Sequence, residues 1–85
     1  MLSKLRKGDS AKIINIHADT VLKSRLSSFG VVRGETLNVK GCSLAKKTME
    51  IEIENTLIAL REAEANMIEV KKIEESAPLL EQDDK

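Results

Sequence analysis

The segment Ser24–Glu35 constrains the fold most, because it describes a short helix that ends sharply just before a strand. Leu22, Leu26 and Phe29 follow the i, i+4, i+7 spacing that places side chains on one face of a helix. Gly30 stands where a left-handed residue would end that helix, since glycine adopts positive φ without a Cβ penalty. We therefore expect a helix that is held by these three apolar side chains, because a helix this short is not stable alone.

Both ends of this helix carry recognisable signals. Asp19 or Thr20 is suited to the N-cap, where a side-chain oxygen accepts a hydrogen bond from a free backbone N–H. At the other end Leu26 and Val31 have the spacing of the hydrophobic pair in a Schellman ending. Gly34 marks a second turn, so the chain is expected to leave the helix in a defined direction.

Five short segments with β-type composition are separated by turn residues, and we predict them to be strands. The predicted segments are Ala11–His17, Thr36–Cys42, Met49–Glu54, Thr56–Leu60 and Met67–Lys72, with a helical turn at Arg61–Asn66 before the last strand. Strands this short with tight connections are typical of a small, strongly bent sheet closed into a barrel.

Three details of this sheet are also predicted. Imperfect alternation in the first strand indicates a strongly bent strand that is buried on parts of both faces. Asn55 tolerates the left-handed conformation of a tight hairpin. The apolar segment Thr56–Leu60 is predicted to be a central strand.

Length and charge divide the chain into one domain and a tail. The 85 residues suffice for one small domain, which we place at residues 1–73. Residues 74–85 contain five acidic residues and one lysine, so their net charge of −4 balances +4 in the domain. This acidic, polar segment is predicted to be a disordered C-terminal tail.

The composition argues against catalysis, a metal centre and membrane insertion. Cys42 and His17 are single residues of their types, so a soft-ligand cluster is improbable and a disulfide within the chain is excluded. Glu50, Glu52 and Glu54 alternate along a strand and are predicted to be its solvated face, not a metal site. No catalytic motif, signal peptide or membrane span is recognised, so a cytosolic location is the default.

Aromatic residues are nearly absent, which argues against two common functions of small barrels. The chain contains one Phe, no Trp and no Tyr. Recognition of Pro-rich peptides needs an aromatic groove, and binding of single-stranded nucleic acid depends on bases stacking on aromatic side chains. Protein–protein contact therefore remains as the expected mode of action.

Three stretches together resemble the FeoA family, the small cytosolic accessory proteins of bacterial ferrous-iron transport. They are Leu5–Asp9, Arg25–Glu35 and Ile58–Val70, in this order and spacing. The chain departs from the family pattern at Arg33, where proline is frequent, and at Asn55, where glycine is frequent.

The resemblance implies an SH3-like small barrel that has no catalytic activity and no cofactor. It also implies a partner on the cytosolic side of the membrane, the large transporter FeoB with its GTP-hydrolysing domain. Neither nucleic acid nor the bilayer is expected to be a partner. Exposed strand edges would permit a homo-oligomer through edge pairing.

We predict that the contact surface combines basic groups near the glycine-flanked turn with an apolar loop tip. These residues are Lys23, Arg25, Arg33 and Leu44. Arg33 projects from the predicted turn, and an apolar side chain at a loop tip suggests a docking role.

Two alternative functions stay open at this point. The chain could be a stand-alone interaction or sensor barrel related to the C-terminal domain of metal-dependent repressors, or a small RNA-associated barrel. The absence of a helix-turn-helix in this sequence argues against the repressor-related alternative. The near absence of aromatic residues argues against the RNA-associated alternative.

Overall fold

The strands of the protein form one antiparallel sheet in the order β4-β3-β2-β1-β5. The computed structural model describes residues 1–43, 45 and 47–73. After a 3-10 helix at Leu2–Lys4, the elements are β1 (Ser10–Ile16), α1 (Thr20–Ser28), β2 (Thr36–Ser43), β3 (Thr48–Ile53), β4 (Thr56–Arg61), α2 (Glu62–Ala65) and β5 (Ile68–Lys72). The predicted fold class is confirmed, including the helix between the first two strands and the helical turn before the last. The predicted tail at 74–85 lies outside the described residues.

Both predicted ends of α1 are confirmed. The Asp19 carboxylate accepts a hydrogen bond from the backbone N–H of Leu22 at 2.8 Å. Gly30 has φ of +91°, and the N–H of Val31 donates to the carbonyl of Leu26 at 3.0 Å, as in a Schellman ending. Leu26 and Val31 are both buried, so the apolar pair joins the helix end to the core.

The prediction that Phe29 belongs to the core is wrong, because its side chain is 48% exposed. Phe29 is the C-cap residue, so it lies where the chain already leaves the helix. The reversal at Gly30 brings Val31 back to the helix end, where its N–H donates to Leu26 and its side chain is buried. Leu22 is only partly buried, which leaves Leu26 as the main anchor of α1.

A bulge explains the imperfect alternation of β1. Ile13 pairs with Val70 and Asn15 pairs with Glu69, so Ile14 is the extra residue of the bulge. Ile14 is 39% exposed, so the expectation that β1 is buried on parts of both faces does not hold at this residue. A second irregularity follows Val39 in β2. Bulges increase local bending and twist, and these two curve the sheet around the core.

The hairpin between β3 and β4 turns through two left-handed residues, Glu54 with φ of 49° and Asn55 with φ of 69°. The left-handed Asn55 is confirmed, but Glu54 belongs to the turn and not to the preceding strand. The prediction that β4 is central is wrong, since β4 forms one edge of the sheet. Its apolar composition reflects a buried inner face, whereas Leu57 is 59% exposed on the outer face.

The core is aliphatic, as the composition requires. It is built from inward residues of every strand, from Leu26 and Val31 of the helix region, and from Leu2 of the 3-10 helix. Its fully buried large side chains are Leu2, Ile13, Leu26, Leu37, Ile51, Leu60, Ile68, Val31 and Val39.

A turn at Arg6–Asp9 fastens the start of the chain to the sheet. The carboxylate of Asp9 accepts the backbone N–H of Arg6 at 2.8 Å and lies 3.5 Å from Lys72 Nζ. The hydrogen bond from Arg6 is the largest influence on the pKa of Asp9 and lowers it. Desolvation opposes that shift, and the charge of Lys72 adds to it.

This lowered pKa predicts a contribution to stability that depends on pH. Because the folded-state pKa of Asp9 lies below its unfolded value of about 3.8, the contribution is present above that pH and is lost as the pH falls through the folded pKa. Asp9→Asn is therefore expected to be less stable than the parent in urea at pH 7. The difference should shrink at pH 3, and a difference that is equal at both pH values would contradict this role.

Candidate partner-contact site

A cleft beside α1 brings together two of the four predicted contact residues. It has a volume of about 230 Å³ and runs between the end of β1, one flank of α1 and the turn that follows the helix. Ile16, Val31 and Val32 give it an apolar lining, and Lys23 and Arg33 give it two cationic groups.

The helix ending creates this arrangement. The reversal at Gly30 folds the following residues back beside α1, and Gly34, with φ of +93°, turns the chain again. The N–H of Gly34 donates to the carbonyl of Ile13 at 2.8 Å, which attaches the turn to β1. Arg33 therefore lies between the turns at Gly30 and Gly34, and it lines the same cleft as Lys23.

The two cationic groups of the cleft have no anionic partner within the described part of the chain. Both side chains are exposed, and neither forms an ion pair among residues 1–43, 45 and 47–73. The local charge at the cleft is consequently positive beside an apolar lining.

Arg25 lies apart from this cleft. Residues two positions apart on a helix are separated by about 200°, so Arg25 and Lys23 lie on opposite flanks of α1. Arg25 Nη1 is 3.1 Å from Glu64 Oε2, and this pair joins α1 to α2. The site prediction thus grouped residues that the fold separates. Leu44, the fourth predicted residue, lies outside the described residues.

Glu64 was missed by the sequence analysis although its role has a local signal. Glu64 is 8% exposed; its Oε2 faces Arg25, and its Oε1 accepts the backbone N–H of Arg61 at 2.9 Å. An acidic residue three positions after the N-cap is half of a capping box. The acidic N3 position was therefore recognisable, but Arg61 is not an N-cap type and the burial of Glu64 had no signal in the sequence.

The residues that the sequence analysis considered as metal ligands, His17, Cys42 and the glutamates of β3, do not come together. His17 Nε2 lies 2.7 Å from Glu69 Oε1, and Cys42 is exposed on β2, where it pairs with Met49. Glu52 forms an ion pair with Lys40 at 3.3 Å. Across the described ranges, no group of three or more His, Cys, Asp or Glu side chains is arranged to hold a metal ion.

None of the helices in the described part of the chain has the length and apolar character needed to cross a membrane.

The FeoA domain profile matches residues 1–72 of the chain. A Campylobacter jejuni protein named as a candidate Fe(2+) transport protein A is 38% identical over 72 residues. The match covers 85% of this chain and 97% of that relative.

A second relative carries the same type of domain within a much larger polypeptide. It is the Fe(2+) transport protein A/Fe(2+) transporter FeoB fusion protein of Porphyromonas gingivalis, 32% identical over 76 residues. The match covers 89% of this chain but 9% of the fusion.

The fold is shared with a solved structure of similar size. The solution structure of the FeoA protein from Chlorobium tepidum superposes with a TM-score of 0.79 and 30% sequence identity. The superposition covers 91% of this chain and 75% of that chain.

Proposed function

The chain belongs to the FeoA family, and we propose from this that it is a non-enzymatic accessory protein of ferrous-iron uptake. In this proposal it acts on the cytosolic side of the membrane, through direct contact with a FeoB-like GTPase transporter. Its effect is exerted by binding, because no catalytic motif is recognised in its sequence.

The observation that carries the proposal is the fusion protein of Porphyromonas gingivalis. A domain similar to this chain is there part of the same polypeptide as a FeoB transporter. Covalent linkage keeps two domains at a high effective concentration, and such linkage is useful when the domains bind each other. The same contact made between separate chains is the simplest role for the present protein.

The cleft beside α1 supports a specific surface for that contact. Lys23 and Arg33 carry charges without ion-pair partners among the described residues, and Val32 adds partly buried apolar surface between them. A partner segment with an aliphatic side chain flanked by carboxylates would match both features. Opposite charges across such a surface accelerate association and favour the correct partner.

The other two predicted contact residues, Arg25 and Leu44, have different roles in the proposal. Arg25 forms an ion pair with Glu64, so it would position α1 against α2 and contribute less to direct contact with the partner. Leu44, which follows β2 in the sequence, stays a predicted contact residue.

Affinity capture from membranes tests the proposal. The tagged 85-residue chain would be incubated with detergent-solubilised membranes of its source organism, and the retained proteins identified by mass spectrometry. We expect the FeoB-like transporter to be enriched over a capture with an unrelated barrel of equal size. If the transporter is detected in the extract but is not enriched, the proposal is wrong. Binding of nucleic acid with a steep salt dependence would favour the RNA-associated alternative instead.

A further inference from the structure

The two edge strands of the sheet differ in their protection against pairing with another strand. Exposed edges are usually blocked by lysine, proline or bulges. β5 carries Lys71 and Lys72, both exposed, and its pairing with β1 includes a bulge. The stretch Thr56–Leu60 in β4 has no charged residue and no proline, and it pairs with β3 without a bulge.

The register of the hairpin identifies the backbone groups that β4 leaves free. The two-residue turn closes on the pair Ile53 and Thr56, which in such a turn is hydrogen-bonded. Hydrogen-bonded and non-hydrogen-bonded pairs alternate in antiparallel strands, so Ile58 is bonded to Ile51. Leu57 and Ala59 consequently direct their N–H and C=O groups away from β3. Among residues 1–43, 45 and 47–73, no other backbone hydrogen bond reaches them.

These groups are self-complementary. When two copies of β4 run antiparallel with Leu57 opposite Ala59 of the second copy, each pair exchanges two backbone hydrogen bonds. Ile58 then faces Ile58 of the second copy at the two-fold axis. Within the paired stretch Asn55–Arg61, Arg61 lies opposite Asn55 and no like charges face each other.

We propose that the free edge of β4 is a homodimer interface, in which a second copy of this chain pairs antiparallel with Leu57 opposite Ala59. The contact uses the same surface of both copies, so it closes at two and does not propagate into fibres. Leu57 is 59% exposed in the single chain and would lie beside Ala59 of the second copy. This proposal does not depend on the proposed function.

The dimer would leave the cleft beside α1 accessible. Lys23 and Arg33 lie near β1, which is separated from β4 by β2 and β3. A dimer would therefore present two copies of the cleft, and binding of two partner segments could reinforce each other.

Amide hydrogen exchange of the 85-residue chain at increasing concentration tests the pairing without a substitution. We expect exchange at Leu57 and Ala59 to slow as concentration rises, in parallel with a rise in mass by sedimentation equilibrium. The amide of Ile58 is an internal control, because its bond to β3 exists in the monomer. A monomeric mass up to about 1 mM, or rapid exchange at Leu57 and Ala59 at all concentrations, would overturn the proposal.

A pair of variants at Ala59 tests the register. Ala59→Pro removes an N–H that points outward, so the bonds between β3 and β4 are preserved. Ala59→Ser keeps the N–H and serves as the matched control. We expect proline, but not serine, to raise the dimer dissociation constant by roughly tenfold or more. If both folded variants dimerise like the parent, β4 is not the interface.

Discussion

Leu26→Ala is expected to lower the free energy of unfolding by about 3 kcal/mol, which is a large part of the stability of a domain this small. Leu26 is 1% exposed and is the one fully buried side chain of α1. Its removal leaves a cavity that Val31 cannot fill, because the turn at Gly30 fixes its position. A helix of nine residues has little stability of its own, so α1 should also lose order in the variant.

Urea unfolding followed by far-ultraviolet circular dichroism measures this effect, since the chain has no Trp to serve as a fluorescent probe. Val21→Ala is the matched control on the same helix, because Val21 is 79% exposed and should change stability by less than about 0.5 kcal/mol. Phe29→Ala should fall between the two. A cost at Phe29 equal to that at Leu26 would restore the sequence-based assignment of Phe29 to the core.

Reversing both charges of the cleft, in Lys23→Glu with Arg33→Glu, is expected to weaken binding to the FeoB-like transporter by roughly tenfold to hundredfold. Both side chains are exposed and free of ion pairs among the described residues, so the fold should tolerate the change. The loss should appear mainly in the association rate, and binding of the parent should weaken as salt rises.

The control for this variant is Lys4→Glu with Lys71→Glu. It changes the net charge by the same amount, and both lysines are exposed on elements other than α1 and its turn. We expect the control to bind nearly as well as the parent. Equal weakening in the two double variants would mean that overall charge, and not the cleft, governs the interaction.

Features encoded by neighbouring residues were predictable from the sequence. The N-cap at Asp19 and the ending at Gly30 depend on hydrogen bonds within a few residues, so composition and spacing suffice to identify them. The strand segments were found for the same reason, because alternation reports which residues face the core. Each predicted strand boundary lies within one residue of the observed boundary.

Features that depend on the order of strands or on distant contacts were not predictable. An apolar run reports burial of a strand's face but not its neighbours, so β4 was placed at the centre and not at the edge. Only the folded chain brings Arg25 to Glu64, which are 39 positions apart. The sequence grouped Lys23, Arg25 and Arg33 near the turn, but only the reversal at Gly30 shows that Lys23 and Arg33 share one cleft without Arg25.

The most direct measurement is a binding titration between this chain and the full-length FeoB-like transporter of its source organism, reconstituted in lipid nanodiscs. Our account predicts saturable binding that weakens with salt and with the double charge reversal at Lys23 and Arg33. Absence of binding between a folded chain and an active transporter, up to concentrations of about 1 mM, would contradict it.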